Sequence, residues 1–235
     1  MKTLILGHRG YKANYPENTM LSFEKALDHA ADGIELDVHL TKDGELVVFH
    51  DFDLERMTGL PGKIFDFTWK ELSTIHCAGQ RIPHLKEVID LVKNRSTINK
   101  PLLLNIELKA GYLLYPQIEE KTLALCDYLS LEQVIISSFD HYALKRIKDL
   151  HLSMPTGVLT TAMLYQPWQY LKSLNADYYH PHYLTLMKEP LTEMLSNQVK
   201  INTYTVNDIE TAKQLIKAGV NSIITDHPEK MREAL

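Results

Sequence analysis

At 235 residues and 45% hydrophobic content, the chain can bury one substantial core, and a single α/β barrel of about 250 residues fits that length without leftover sequence. Its formal charge of −5 is spread along the chain with no basic run, which excludes the positive face that polymeric nucleic acid would need. Two cysteines outside any CxxC spacing, an apolar amino-terminal stretch limited to residues 3–7, and no window near the roughly 20 apolar residues of a bilayer span point to a reducing, cytoplasmic setting without a stable membrane anchor.

In chain order, short β-branched runs alternate with stretches of helical period, the signature of βα units around a parallel sheet. The first strand is expected over residues 3–7, running out into His8-Arg9-Gly10. A helix over 19–29 follows, then a strand over 33–40 carrying Glu35 and Asp37. The Asp-Gly pair in Lys42-Asp43-Gly44 suits a hairpin, predicting an extra strand over 45–50 that ends at His50-Asp51. Residues 51–83 break the rhythm. With Gly59, Pro61, Gly62, Phe65, Phe67 and Trp69, they read as a small inserted subdomain at a barrel mouth. It is either a lid or specificity element, or a surface excursion with its own apolar cluster.

Regularity returns with a helix over 84–94 and a strand over 102–108 that holds Glu107 and leads into Lys109. A helix over 118–129, a strand over 134–138 and a helix over 141–150 come next, then strands over 156–159, 177–180 and 200–206. A helix over 208–218 capped by Gly219, a strand over 222–225 and a closing helix over 228–234 complete the pattern. Eight strands with intervening helices predict an α/β fold, a closed (β/α)₈ TIM barrel forming one domain over 1–235, with an open doubly wound sheet as the alternative.

In such a barrel the reactive groups sit at the carboxyl ends of the strands. Residues two apart on a strand share a face, so Glu35 and Asp37 project together, and Glu107 joins them from another strand. Buried carboxylates cost several kcal/mol each unless paired or metal-bound, and three converging oxygen donors suit one divalent cation, Mg²⁺ or Ca²⁺, better than zinc. The alternative is a buried ion-pair network with Arg9 and Lys109. His8 and His50 flank the same place and titrate near neutrality, which suits an acid and a base. Arg9 and Lys109 together suit a tetrahedral anion such as a phosphodiester, and no glycine-rich phosphate loop supports nucleotide chemistry. His29, His141 and His151 fall on helices and His76 and His84 at the insertion, none with an assigned role. His180-Pro181-His182 follows the sixth strand and is expected to open onto the active face, as substrate contact or as loop structure.

With these residues in hand, the chain resembles the glycerophosphodiester phosphodiesterase family along its length. The blocks that carry the likeness are His8-Arg9-Gly10, Pro16-Glu17-Asn18-Thr19, Gly33-Ile34-Glu35-Leu36-Asp37-Val38, Thr41-Lys42-Asp43-Gly44 and Val47-Val48-Phe49-His50-Asp51. Ile82-Pro83-His84-Leu85-Lys86-Glu87, Asn105-Ile106-Glu107-Leu108-Lys109 and Ile224-Thr225-Asp226-His227-Pro228 continue it in order. The resemblance implies a TIM barrel with an inserted subdomain, a cation on Glu35, Asp37 and Glu107, catalytic His8 and His50, and a phosphate held by Arg9 and Lys109. It implies a small-molecule glycerophosphodiester substrate, cleaved to an alcohol and sn-glycerol 3-phosphate in lipid and glycerol metabolism. Tyr204, in Asn202-Thr203-Tyr204-Thr205, stands where the family usually carries tryptophan, which places a substrate-binding ring there and alters the pocket it would line. Competing expectations are action on lysophospholipid or glycerophosphoinositol-type head groups, and a non-catalytic phosphate-ligand barrel. A homodimer is left as an option.

Overall fold

A computed structural model describes residues 2–235. Eight strands close into one parallel ring: β1 (Leu4–His8), β2 (Gly33–Leu40), β6 (Leu103–Leu108), β7 (Val134–Ser138), β8 (Thr156–Thr160), β9 (Tyr178–Pro181), β10 (Lys200–Thr203) and β11 (Ser222–Thr225). Pairing of β1 with both β2 and β11 shuts the ring, so the open-sheet alternative is excluded. The short β3 (Leu46–Val48) lies outside it, antiparallel on β2, as the Asp-Gly turn predicted.

The outer ring of helices comprises α1 (Met20–Asp28), α4 (Leu85–Arg95), α5 (Ile118–Cys126), α6 (His141–Leu150), α7 (Pro167–Leu174), α8 (Lys188–Ser196), α9 (Ile209–Ala218) and the short α10 (Pro228–Met231). Local chemistry starts and stops them. Thr19, Asp140 and Asp208 accept backbone N–H groups at the first turns of α1, α6 and α9, and Gly219 ends α9 with φ +98°. Helices α7 and α8 fill intervals for which no helix was named from the pattern of residues. Proline stands at the start of α7, and α8 contains Pro190, which sits in its first turn, where no intrahelical N–H is lost.

Alternation along the strands divides the apolar residues in two. Ile34, Leu36, Val38, Leu104, Ile106 and Leu108 face the helices in one large cluster, and Ile5, Val158, Tyr179, Ile201 and Ile223 do so in a second. The opposite set turns inward, and much of it is polar: Asn105 donates to Ser137 at 3.0 Å, and Asn202 donates to His180 Nε2 at 2.9 Å. His180 therefore corrects an expectation. It is fully buried inside the barrel rather than open to the active face, its ring occupying the space that Gly157 leaves by lacking a Cβ. Only His182, beyond the strand, lies in the loop region.

Residues 51–83 carry α2 (Glu55–Thr58), a 3₁₀ turn at Ile64–Asp66, α3 (Trp69–Leu72) and a two-stranded hairpin of β4 (His76–Cys77) and β5 (Gln80–Arg81). Leu54, Ile64, Leu72, Cys77 and Ile82 form their own apolar cluster over Val47 and Phe49. Both cysteines are buried free thiols.

Candidate active site

The site is assembled at the carboxyl ends of β1, β2 and β6 and at the exit of β3. Glu35, Asp37 and Glu107 are buried, and one oxygen from each lies within 4.8 Å of the others. Register explains the meeting, since Asp37 and Glu107 are Cα partners across β2 and β6 and Glu35 pairs with His8 across β2 and β1. The turn after β1 needs an unusual backbone. Arg9 has φ +53° and Gly10 φ +87°, and a Cβ on Gly10 would lie 2.6 Å from the backbone carbon of Ser22. This turn aims the Arg9 N–H at Glu35 (3.0 Å) and swings its guanidinium to Glu17 (2.9 Å) and Asp37 (3.3 Å). Lys109 reaches Glu107 at 2.7 Å and Asp37 at 3.2 Å, and Asn18 donates to Asp37 at 2.8 Å.

These charges set the protonation pattern. Burial alone would lift Asp37, but Lys109 and Arg9 outweigh it and hold the carboxylate well below its ordinary range. Glu107 moves the other way, up to about 7, through burial and repulsion from Asp37 that Lys109 only partly offsets. Burial, Asp37 and Glu107 likewise raise Glu35 well above an ordinary carboxyl. All-oxygen donors with crowded negative charge fit a hard divalent cation, and the pocket has no imidazole or thiolate among the three clustered groups.

His8 and His50 have matching surroundings. His8 Nδ1 donates to Asp226 at 2.7 Å, and His50 Nδ1 donates to Asp51 at 2.6 Å. Each carboxylate fixes a ring and its tautomer, leaving Nε2 as the nitrogen available for proton transfer. Burial lowers the affinity of both rings for a proton, in His8 against the Asp226 hydrogen bond and in His50 against the attraction of Asp37. The partners are themselves anchored, Asp226 by Asn207 (2.7 Å) and Asp51 by Arg56, which also grips Glu17 at 2.6 Å. Behind His50, its carbonyl accepts from His39 Nε2 (3.1 Å), and the Tyr115 hydroxyl donates to His39 Nδ1 (2.7 Å).

All the residues singled out from sequence except Tyr204 thus meet through contacts at one mouth. Burial first, and the nearby Glu107 carboxylate second, raise the pKa of Tyr204 above its ordinary value. Its hydroxyl donates to the Thr160 carbonyl (3.1 Å), and its ring packs edge-on to Phe139 and His182, so the side chain presents a ring face rather than a hydrogen-bonding group. Sequence reasoning gave no role to Asp51, Asp226, Glu17, Asn18 or Arg56. The available signal was positional: Asp51 follows His50 directly, and Asp226 directly follows the last strand while His8 ends the first.

Residues 8–230 match the family model described as the glycerophosphoryl diester phosphodiesterase family. The chain belongs to that family. As a member it is a phosphoric diester hydrolase of glycerophosphodiesters, with the family's dependence on a metal ion and a small-molecule substrate. It is 42% identical over 240 residues to a glycerophosphodiester phosphodiesterase of Caldanaerobacter subterraneus subsp. tengcongensis, covering 98% of this chain and 97% of that one. A Bacillus altitudinis glycerophosphodiester phosphodiesterase is 40% identical, with 99% of each chain covered. Among solved structures, an Oleispira antarctica phosphodiesterase in complex with the product sn-glycerol-3-phosphate superposes with a TM-score of 0.91 at 25% identity, covering 99% of this chain and 96% of that one. Among the described residues of this family member, no helix is long and apolar enough to cross a membrane.

Proposed function

We propose that the chain cleaves glycerophosphodiesters to an alcohol and sn-glycerol 3-phosphate with His8 and His50 as the proton-transfer pair. The observation that carries this reading is that two imidazoles, each held at Nδ1 by a carboxylate, flank one cluster of three buried acids. Glu35, Asp37 and Glu107 would hold one divalent cation, Mg²⁺ or Ca²⁺. A bound cation of that kind neutralises phosphate charge and polarises a phosphoryl oxygen.

The chain's own groups do the rest. Lys109 and Arg9 sit beside the acids as fixed positive charges and bind the phosphate oxygens. One histidine Nε2 takes a proton from the nucleophile, and the other delivers one to the leaving alkoxide. The nucleophile is water or the glycerol C2 hydroxyl, and trapping a cyclic phosphate product separates the two. The Tyr204 ring lines the substrate pocket. Residues 51–83 act as the inserted subdomain at the mouth, where Phe52, Asp53, Glu55 and Arg56 line a cavity of about 630 Å³ together with His50 and Lys109. The chain works as a soluble cytoplasmic enzyme of lipid and glycerol breakdown.

The direct test is release of glycerol 3-phosphate from glycerophosphocholine and glycerophosphoethanolamine by purified protein stripped of metal and resupplied with Mg²⁺ or Ca²⁺ in turn. Turnover is expected to vanish on stripping and return with one of the ions. Unchanged turnover after exhaustive chelation would remove the cation from this reading.

A further inference from the structure

A series of ionisable side chains runs unbroken across the mouth. Arg9, beside Asp37 at 3.3 Å, donates to Glu17 Oε1 at 2.9 Å. Arg56 donates to that same oxygen at 2.6 Å through Nη2 and to Asp51 through Nε, and Asp51 accepts from His50 Nδ1 at 2.6 Å. The series joins a guanidinium on the phosphate side to one of the two imidazoles. Arg56 is the member that stands on α2, in the inserted segment, whereas Arg9 and Glu17 belong to the barrel. Packing does not account for its placement. Helix α2 has no buried residue, and the apolar cluster of Leu54, Ile64, Leu72, Cys77 and Ile82 seats the segment on Val47 and Phe49 without Arg56. Its side chain is 49% exposed, a setting in which ion pairs add little to stability. Its grip is felt inside the site instead. Burial opposes ionisation of Glu17, and the Arg56 hydrogen bond with the Arg9 charge outweighs it, holding this carboxylate below its ordinary range.

We propose that Arg56 is a positioning residue for the phosphodiesterase reaction, through which the inserted subdomain fixes the Asp51–His50 pair and the Arg9 guanidinium relative to each other. A planar guanidinium suits this task, because Nε and Nη2 reach two carboxylates at a fixed spacing. A lysine ammonium is a single point charge on a flexible stem. With Arg56 removed, Asp51 retains His50 as its charged partner and Glu17 retains Arg9, so both carboxylates gain freedom to turn. Asp51 then no longer dictates which His50 nitrogen carries the proton, and Nε2 is free to accept one in only a fraction of the molecules. Arg56 also lines the cavity that holds His50 and Lys109, so direct contact with substrate is the competing role, and it has a different kinetic signature. The part that His50 plays in turnover rests on the proton-transfer reading above; the bridge itself does not.

Kinetics and nitrogen NMR on the full chain test this. In turnover of glycerophosphocholine with the supporting cation present, Arg56→Ala is expected to lower kcat about 10–100-fold, the usual cost of losing a partner that orients a reacting group. KM should stay within about threefold of wild type and Tm within about 3 °C, because the lost pairs are half-exposed. Methylguanidinium should restore part of the Arg56→Ala rate by filling the vacated space, methylammonium should not, and Arg56→Lys should recover little. Nitrogen NMR of the His50 ring, assigned by loss of its signals in His50→Gln, should show the Nδ1–H tautomer in wild type and a mixture in Arg56→Ala. A KM that rises with kcat unchanged would make Arg56 a substrate contact and overturn the inference. Full activity in Arg56→Lys, or an unaltered tautomer in Arg56→Ala, would do the same. Absence of turnover by the wild type strikes the phosphodiesterase reading, and the NMR comparison then still decides whether Arg56 sets the His50 ring.

Discussion

The two imidazoles are made chemically specific by neighbours that contribute no ligand and touch no predicted phosphate. A neutral histidine has two interchangeable nitrogens until a carboxylate fixes one, and Asp226 and Asp51 do this for His8 and His50. Asp226→Asn preserves shape but removes the charge that favours the Nδ1–H tautomer. A fall in kcat of about 10²–10⁴ is expected, the usual range for losing a positioned acid or base. His8→Ala should fall by a similar factor, and the double variant by little more than either single change, because the two residues act as one unit. Additive losses in steady-state kinetics would show that Asp226 acts independently of His8.

Burial of histidine without a charge partner has a different consequence, seen at the level of strands. His180 on β9 is tied to Asn202 on β10, and burial lowers its pKa to about 3 from an ordinary 6.5. The folded state therefore keeps the ring neutral while the unfolded chain takes up a proton near pH 6.5. Its contribution to stability is complete above pH 6.5 and is lost as pH falls toward the folded value, by about 1.4 kcal/mol per unit between them. Urea unfolding at pH 6.5, 5.5 and 4.5 should show this slope, and His180→Gln, which still accepts from Asn202, should flatten it by about one proton. An unchanged slope in that variant would assign the pH dependence to other groups. At helix α6, Asp140 both caps the first turn and accepts the Gly111 N–H from the loop after β6, at 3.0 Å. Asp140→Ala should lower unfolding free energy by about 2 kcal/mol, more than a simple cap, because a second partly buried N–H loses its acceptor.

Across the whole molecule, a cation on the proposed cluster of acids would couple ligand binding to folding. Glu35 and Asp37 come from one strand and Glu107 from its neighbour, 70 residues on from Asp37, so an ion held by all three would bind the folded chain and not the unfolded one. A cation at one hundred times its dissociation constant should stabilise the fold by about 2.7 kcal/mol. That appears as a rise in Tm on adding Mg²⁺ or Ca²⁺ to stripped protein. Asp37→Asn should abolish most of the rise, and an equal rise in the variant would place the ion elsewhere.

The sequence by itself determined the eight strand positions, the extra strand after Asp43-Gly44, and the acids at 35, 37 and 107, because period-2 alternation and turn residues are local properties of the chain. The ends of the first strand and of the hairpin strand put His8 and His50 at the same mouth for the same reason, and the family blocks repeat both positions. Only the tertiary structure decided that Asp226 meets His8 across 218 residues, that Arg56 bridges Glu17 to Asp51, and that His180 points into the barrel. Ring closure brings the first and last strands together, and a strand's inward face is defined only once the ring exists. Spacing along the chain carries neither distance.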